Sequence, residues 1–215
     1  HIAVTPDMTY EFVARAPAQL DTRPVVIGTG PCGMFAGLVL AQMGFKPIIL
    51  ERGKIVRERT VDTFALWRKR ILTPESNVQF GEGGAGTFSD GKLYSGIKDP
   101  RHLGRKVLTE FVKAGAPEEI LFVSKPHIGT FRLVSMVENM RASIVELGGE
   151  VIASTAKGWR VLETSHPPTY YLPRAAFADG VLREARGESW CEWKGRARYF
   201  DLVTATRVAE KAAWN

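Results

Sequence analysis

The chain has 215 residues, enough for one large domain or two small ones whose hydrophobic core needs no disulfide or metal support. Its 45% hydrophobic and 24% charged residues are those of an ordinary globular protein, and a net charge of +6 permits a phosphate-bearing or acidic ligand. Two widely spaced cysteines, no metal-ligand spacing, no signal peptide and no long apolar run predict a cytoplasmic protein without disulfides, metal or membrane spans.

Residues 1–22 combine turn-forming residues with the strand-like run TYEFVARA, which predicts a leader packed on the edge of the next domain. The apolar run Val25–Ile27 is typical of a buried parallel strand. MFAGLVLAQM then predicts a buried helix that ends at Gly44, and KPIIL predicts a second strand with Glu51 at its carboxyl end. The segment therefore has strand–helix–strand order.

Glycines occupy the turn between this first strand and the helix in G-x-G-x-x-G spacing. Gly28 suits the tight turn, Gly30 allows a pyrophosphate to approach the backbone, and Gly33 allows the helix to lie close to the strand. Glu51 is placed to accept a ribose hydroxyl and disfavours the 2′-phosphate of NADP. Gly37 extends the pattern and favours FAD over NAD. A Rossmann-like dinucleotide fold follows; the alternative is a tight turn without a ligand.

A second glycine-rich segment, NVQFGEGGAGTFSDGKLYSG, follows the helical pattern GKIVRERTVDTFALWRKRIL, whose basic run 68–70 is typical of a solvated face. Long glycine-rich loops are costly to order and are usually functional. Backbone N–H groups of Gly83, Gly84, Ala85 and Gly86 are placed to surround a second part of the cofactor. The alternative is a flexible surface loop.

The run RPVVIGTGPCGMFAGLVLAQMGFKPIILERG, followed by FGEGGAGTFSDGKL, resembles the uncharacterised bacterial FAD-dependent dehydrogenases among the glutathione-reductase-like flavoproteins, over about residues 8–151. The resemblance implies FAD as cofactor, with Arg52 on the adenine side and the loop 82–92 near the ribityl chain and flavin ring. It also implies a later Gly-Asp motif, which this sequence lacks. The predicted cofactor-binding residues are Gly28, Gly30, Pro31, Gly33, Glu51, Arg52, Gly83, Gly84, Gly86 and Thr87.

Two further helices are predicted, one in RHLGRKVLTEFVKAG and one over 131–147, before short strand-like runs begin at about residue 150. The second is amphipathic, with one apolar face made of Leu133, Val137, Met140, Ile144 and Leu147. A strand begins in EVIA, which either neighbouring sheet could accommodate. His127 is a weak candidate for acid–base chemistry, the alternative being a turn residue, and Cys32 is expected to be a small buried side chain near the start of the first helix.

From about residue 150 the sequence consists of short strand-like runs separated by turn residues. ETSHPPTYYLP, CEWKGRARYF and AAW resemble a small β domain of unassigned function, sometimes labelled nucleotidyltransferase-like, over about residues 148–214. A pocket for a small anion is predicted from Glu163, His166, Tyr171, Cys191 and Lys194, the alternative being turn and core residues. Stacking of single-stranded nucleic acid on WKGRARYF is also conceivable, but a basic strand face explains the pattern more simply, so no nucleic-acid partner is predicted.

We therefore expect an incomplete α/β Rossmann-like FAD/NAD(P)-binding domain over 23–150, preceded by the leader and followed by a small, mostly β domain over 151–215. The predicted function is FAD binding in a dehydrogenase-like oxidoreductase. The alternative is a non-enzymatic small-anion or nucleotide-binding β module fused to the remnant of a flavin domain, and this chimera would be inactive as an oxidoreductase.

Overall fold

The computed structural model describes residues 4–154, 159–163, 166–191, 195–204 and 208–214. Its four α-helices are α1 (Pro31–Gln42), α2 (Val56–Lys69), α3 (Leu103–Lys113) and α4 (Thr130–Glu146). Its strands are β1 (Val25–Ile27), β2 (Ile48–Glu51), β3 (Glu150–Ser154), β4 (Trp159–Glu163), β5 (His166–Tyr171), β6 (Leu182–Cys191), β7 (Gly195–Val203) and β8 (Val208–Trp214). Short 3-10 helices span Ala85–Phe88, Glu118–Leu121 and Arg174–Ala176.

The N-terminal sheet is parallel, in the order β1-β2-β3, and one of its faces carries the main hydrophobic core. Val26 pairs with Ile49, and both side chains are buried in one cluster with Leu38 of α1 and Met140 of α4. Because side chains alternate across a strand, this face is the one that α1 and α4 cover. The helices thus position the turn between β1 and α1.

On the opposite face of the same sheet, the side chains described for β2 are covered and those of β1 are not. Ile48 and Leu50 pack against Val181 and neighbouring side chains from the C-terminal part of the chain. Val25 and Ile27, which pair with Ile48 and Leu50, remain 54% and 49% exposed. The expectation of a fully buried β1 strand is therefore wrong for two of its three residues, because the C-terminal covering does not extend over β1.

Helix α4 has the apolar face expected from its sequence. Leu133, Val137, Met140 and Ile144 are all buried. Leu147 was expected on the same face but is 42% exposed, because the helix ends at Glu146 and Leu147 is the residue that caps it.

Strand β3 settles which sheet the shared EVIA segment joins. Ile48 pairs with Glu150 and Glu51 pairs with Ser154 in a parallel register. The parallel sheet therefore continues to residue 154, four residues past the division expected at 150. The local sequence could not predict this, because the apolar EVIA segment is compatible with the N-terminal parallel sheet and with a C-terminal antiparallel sheet.

The C-terminal part contains two antiparallel sheets, a β4–β5 hairpin and the three strands β6-β7-β8. Asp201 of β7 accepts the backbone N–H of Lys211 on β8 at 3.0 Å and pairs with Arg183 of β6 at 2.9 Å. The hydrogen bond from Lys211 and then that from Arg183 lower the pKa of the Asp201 carboxyl. One carboxylate therefore contacts all three strands.

The leader forms no strand among the described residues 4–22, although TYEFVARA was expected to be strand-like. It is held instead by single contacts with the helices. The Ala16 N–H donates to the Met43 carbonyl at 2.8 Å, and the Lys106 ammonium of α3 lies 5.2 Å and 5.0 Å from the rings of Tyr10 and Phe12. Cation–π contact of this kind fixes the segment without a strand ladder.

The described chain is thus mixed α/β, and its assignment to the dinucleotide-binding fold class stays a prediction. Among the described residues, none of the helices combines the length and the apolar character needed to cross a bilayer.

Candidate functional site

The turn between β1 and α1 leaves the amino end of α1 open. Gly28 has a φ of +89°, a conformation that favours glycine, and its N–H donates to the Leu50 carbonyl at 2.7 Å. Gly30 caps the helix, and a Cβ added there would have no described atom within 4 Å. Pro31, the first residue of α1, has no N–H to leave unsatisfied. The space in front of Gly30 is open beside the free N–H groups of the first turn.

Gly33 and Gly37 allow α1 to pack closely on the sheet. A Cβ on Gly33 would lie 1.9 Å from the carbonyl oxygen of Gly28, and one on Gly37 would lie 2.7 Å from Cδ1 of Ile49. Real Cβ contacts are never that short. Both glycines therefore serve close approach, as the sequence indicated.

Glu51 lies at the carboxyl end of β2, beside the glycine turn. Its Oε2 accepts the Thr29 N–H and the Thr29 hydroxyl, both at 2.6 Å, and its Oε1 accepts the Gly53 N–H at 2.7 Å. A carboxylate offers about four acceptor positions, so these described donors leave capacity for one further hydroxyl. The contacts also hold the carboxylate against the turn, next to the open end of α1.

The second glycine-rich loop contacts this turn directly. Gly83 donates its N–H to the Thr29 carbonyl at 2.8 Å, and a Cβ on Gly84 would lie 2.8 Å from Cδ of Pro31. Gly86 is exposed, and a Cβ there would meet no described atom within 4 Å. The structure thus brings the two glycine segments together, and Gly86 leaves an open path beside them.

Thr87 differs from its loop neighbours because it faces the interior. It is 2% exposed, and its hydroxyl lies 3.5 Å from an Nη1 donor of Arg59. The Thr87 side chain therefore packs inside the protein and does not line the open side of the loop.

Arg59 of α2 organises the second loop, and the sequence analysis did not identify it. The side chain is fully buried, and it donates to the carbonyls of Asn77, Val78 and Glu82 at 2.8, 3.0 and 2.6 Å. Its guanidinium lies 4.9 Å from the ring centre of Phe88. Burial lowers the pKa of this guanidinium to about 10, against the attraction of nearby carboxylates, so Arg59 remains charged at neutral pH.

A signal for Arg59 was present in the helix pattern. Val56, Arg59 and Thr63 follow at helical spacing and are all fully buried. An arginine on the buried stripe of an amphipathic helix requires several acceptors, and a following loop with many free carbonyls supplies them.

Glu82 joins the same loop to two helices. Its Oε2 accepts the Val56 N–H at 2.7 Å, and both carboxylate oxygens contact Nη1 of Arg141 on α4, at 2.8 and 2.6 Å. Burial raises the pKa of the Glu82 carboxyl, and the hydrogen bonds from Val56 and Arg141 only partly offset that effect. From the sequence, this segment was expected to contribute backbone N–H groups, and Glu82 was not among the predicted site residues.

A cavity of about 30 Å³ lies beneath the turn, lined among others by Thr29, Glu51, Glu82 and Arg141. This volume holds about one water molecule, so the cavity is too small for a nucleotide.

Arg52 was expected near an adenine. Its Nε pairs with Glu75 at 2.5 Å, and its guanidinium lies 5.6 Å from the ring centre of Phe80, which is 43% exposed. Arg52 and Phe80 thus form a half-exposed pair one residue beyond Glu51.

Two other candidates lie at the surface. Cys32 was expected to be buried but is exposed, because the buried face of α1 is formed by Met34, Gly37, Leu38 and Ala41. His127 is also exposed, and its backbone bridges Lys92.

Four of the five residues of the predicted β-domain pocket lie on strands of two different sheets. Glu163 pairs with His166 in the β4–β5 hairpin, and Tyr171 of that hairpin pairs with Trp159. Cys191 ends β6 in the other sheet, opposite Gly195. Lys194, together with the side chains of the other four, lies outside the described part of the structure.

Two similarities to known proteins bear on these expectations. A domain of unknown function, DUF427, matches residues 136–215, from the middle of α4 through β8. An uncharacterized protein of Clostridium beijerinckii is 52% identical over 141 residues. The match covers 66% of this chain and 26% of the relative, so the chain spans about a quarter of the length of the relative that it matches.

These findings correct the family resemblances drawn from the sequence. The matches are to a domain of unknown function and to an uncharacterized protein, and not to a family of FAD-dependent dehydrogenases, so that assignment of residues 8–151 is wrong. The C-terminal match is to a domain whose function is unknown, and it begins at 136, within the segment that the sequence assigned to the dinucleotide domain.

Proposed function

We propose that this chain binds FAD through the turn between β1 and α1 and belongs to an oxidoreductase-type protein. The observation that carries the proposal is the open space at Gly30. A glycine there relieves no clash within the protein, because a Cβ would have no described atom within 4 Å. The residue is explained if the absent side chain makes room for a ligand at the amino end of α1.

The surrounding residues fit the parts of a dinucleotide. The N–H groups of the first turn of α1 and the positive end of its dipole suit a pyrophosphate. Glu51 has acceptor capacity for a ribose hydroxyl, and Arg52 with Phe80 offers a cation and a ring beside it. The exposed Gly86 leaves room for the chain that leads to the second half of the ligand.

When bound, FAD supplies the hydride-transfer chemistry of an oxidoreductase. The roles of this chain are then to bind and to orient. Gly28–Gly33 would hold the pyrophosphate, Glu51 the ribose, and Gly83–Gly86 the segment beyond it. The preference for FAD over NAD rests on the sequence pattern that Gly37 extends, and close helix packing at Gly37 agrees with that pattern.

The test is retention of flavin. The purified chain is mixed with FAD and desalted, and its visible absorption is compared with its protein concentration. We expect near-stoichiometric flavin on the wild type, and little on Gly30→Ala, whose methyl group would occupy the ligand's space.

Gly96→Ala is the matched control. Gly96 also has no described atom within 4 Å of an added Cβ, so the two substitutions should perturb the fold equally little. Loss of flavin from Gly30→Ala alone supports the proposal. The proposal is contradicted if the wild type retains no flavin or if the Gly30→Ala chain retains it fully. Either result would favour a function carried by the C-terminal β sheets.

A further inference from the structure

An aromatic cluster lies at the far end of the second glycine loop, outside the residues used above. It consists of Phe64 and Trp67 on α2 and Phe88 at the end of the 3-10 helix Ala85–Phe88. The ring centres of Phe64 and Trp67 are 5.7 Å apart, and those of Trp67 and Phe88 are 6.1 Å apart, both edge to face. Edge-to-face contacts give the three side chains fixed relative positions.

The cluster is unusually open to solvent for such large apolar groups. Phe64 is 41% exposed and Trp67 is 53% exposed. Arg68, which is exposed, lies 4.8 Å from the ring centre of Phe64, and the buried Arg59 lies 4.9 Å from that of Phe88, so two cations contact the cluster. The exposed parts of Phe64 and Trp67 offer aromatic surface against which another planar ring can stack.

The aromatic cluster is connected through the second glycine-rich loop to the turn between β1 and α1. Gly84 contacts Pro31 and Gly30, and the 3-10 helix from Ala85 leads from that contact to Phe88. Four residues of 3-10 helix rise about 8 Å. The linker between the pyrophosphate and the flavin ring of FAD has a comparable length, and Gly86 leaves its path clear.

We propose that the planar ring at the far end of the dinucleotide stacks on this cluster, with Trp67 as the main contact. The inference rests on the proposed function, since it assumes a dinucleotide at the turn. Three observations favour a ring of the same ligand over a separate polypeptide as the occupant. The cluster is connected to the turn, the 3-10 helix is about as long as the linker between the pyrophosphate and the flavin ring, and two cations contact the cluster.

The test compares a ligand that has the ring with one that lacks it. FAD and ADP are titrated into the wild type, Trp67→Leu, Trp67→Phe and Trp214→Leu. Trp214 is 50% exposed on β8, so it controls for loss of an exposed tryptophan away from the site. Thermal melts of all four chains establish that each is folded.

We expect Trp67→Leu to weaken FAD binding roughly tenfold, a size common for ring stacking, and to leave ADP binding unchanged. Trp67→Phe should restore most of the affinity, and Trp214→Leu should have no effect. In addition, FAD should quench a component of tryptophan emission that is absent from Trp67→Phe.

The outcomes separate the two proposals. If FAD and ADP both bind the wild type and Trp67→Leu changes neither affinity, the stacking surface is refuted while the dinucleotide site stands. If neither ligand binds the wild type, the proposed function fails and the stacking surface fails with it.

Discussion

Gly30 and Gly33 are three residues apart, yet a side chain would have opposite consequences at the two positions. At Gly30 the added Cβ has no described atom within 4 Å, whereas at Gly33 it would lie 1.9 Å from the carbonyl oxygen of Gly28 in the preceding turn. The G-x-G-x-x-G spacing predicted the close approach at Gly33, because that follows from backbone geometry that a short motif encodes locally, while the pyrophosphate role of Gly30 stays a prediction. Arg59 and Glu82 escaped prediction, because their partners come from segments remote in sequence that only the folded chain brings together.

The first prediction concerns the packing glycine. Gly33→Ala should lower the free energy of unfolding by about 2–3 kcal/mol, since α1 must move away from β1 to relieve the overlap. Urea denaturation measures the loss, and Gly30→Ala should show a change below about 0.5 kcal/mol. Equal stability of the two variants would mean that α1 is not packed on β1 as closely as described.

The second prediction concerns Arg59. Replacing it with Met leaves three loop carbonyls without their donor, so we expect a loss of about 3 kcal/mol in the free energy of unfolding. Arg68→Met is the control on the same helix. It is exposed and contacts only the ring of Phe64 among the described contacts, so its effect should stay below about 0.5 kcal/mol. A similar small effect at Arg59 would contradict its role in ordering the loop.

At the scale of elements, the helices follow the sequence closely. The patterns in GKIVRERTVDTFALWRKRIL and over 131–147 correspond to α2 and α4, because an amphipathic face is a periodic signal that survives in a single sequence. The exposure of β1 was not predictable in this way. Whether a strand is covered on both faces depends on the reach of a distant segment, here the region around Val181.

The third prediction uses the carboxylate that joins α2, α4 and the loop. Burial raises the pKa of Glu82 above its ordinary value of 4.5, so the folded chain holds this proton more tightly than the unfolded chain. The resulting stabilisation is fully present below about pH 4.5 and is lost as pH rises through the raised pKa. The melting temperature of the wild type minus that of Glu82→Gln should therefore decrease between pH 4 and pH 7.

Glu138 provides a control with the opposite sign. The hydrogen bond from Arg57 lowers the pKa of its carboxyl, so its stabilisation is present above the ordinary value of 4.5 and is lost as pH falls through the lowered pKa. The melting temperature of the wild type minus that of Glu138→Gln should thus increase with pH over the acid range. Parallel pH dependences for the two variants would refute the assignment for Glu82.

At the scale of the whole molecule, burial is divided unequally. One cluster of buried hydrophobic side chains runs from Val26 to Ile144 and includes residues of β1, β2, α1, α2 and α4, with partly buried residues of α3 packed against it. Among the described residues after 171, the buried hydrophobic side chains are Val181 and Phe200. The described part of the β6-β7-β8 sheet therefore has much less apolar burial to oppose its conformational entropy.

The fourth prediction is that unfolding has two stages. Four of the five tryptophans, Trp159, Trp190, Trp193 and Trp214, lie in the C-terminal part, whereas the described α-helices all lie between residues 31 and 146. In urea, tryptophan emission should therefore change at a lower concentration than helical circular dichroism. Coincident curves would mean that the contact of Val181 with Ile48 and Leu50 couples the two parts into one cooperative unit.

The uncovered face and outer edge of β1 also affect how copies of the chain behave in solution. Val25 and Ile27 lie beside backbone groups that pair with no other described strand, and such an edge attracts further strands. A net charge of +6 keeps copies apart in dilute buffer, whereas about 1 M salt shortens the screening length to about 3 Å. Added salt, and pH values approaching 9.4, should therefore promote clouding and precipitation, so concentrated samples are best kept at low ionic strength and near-neutral pH.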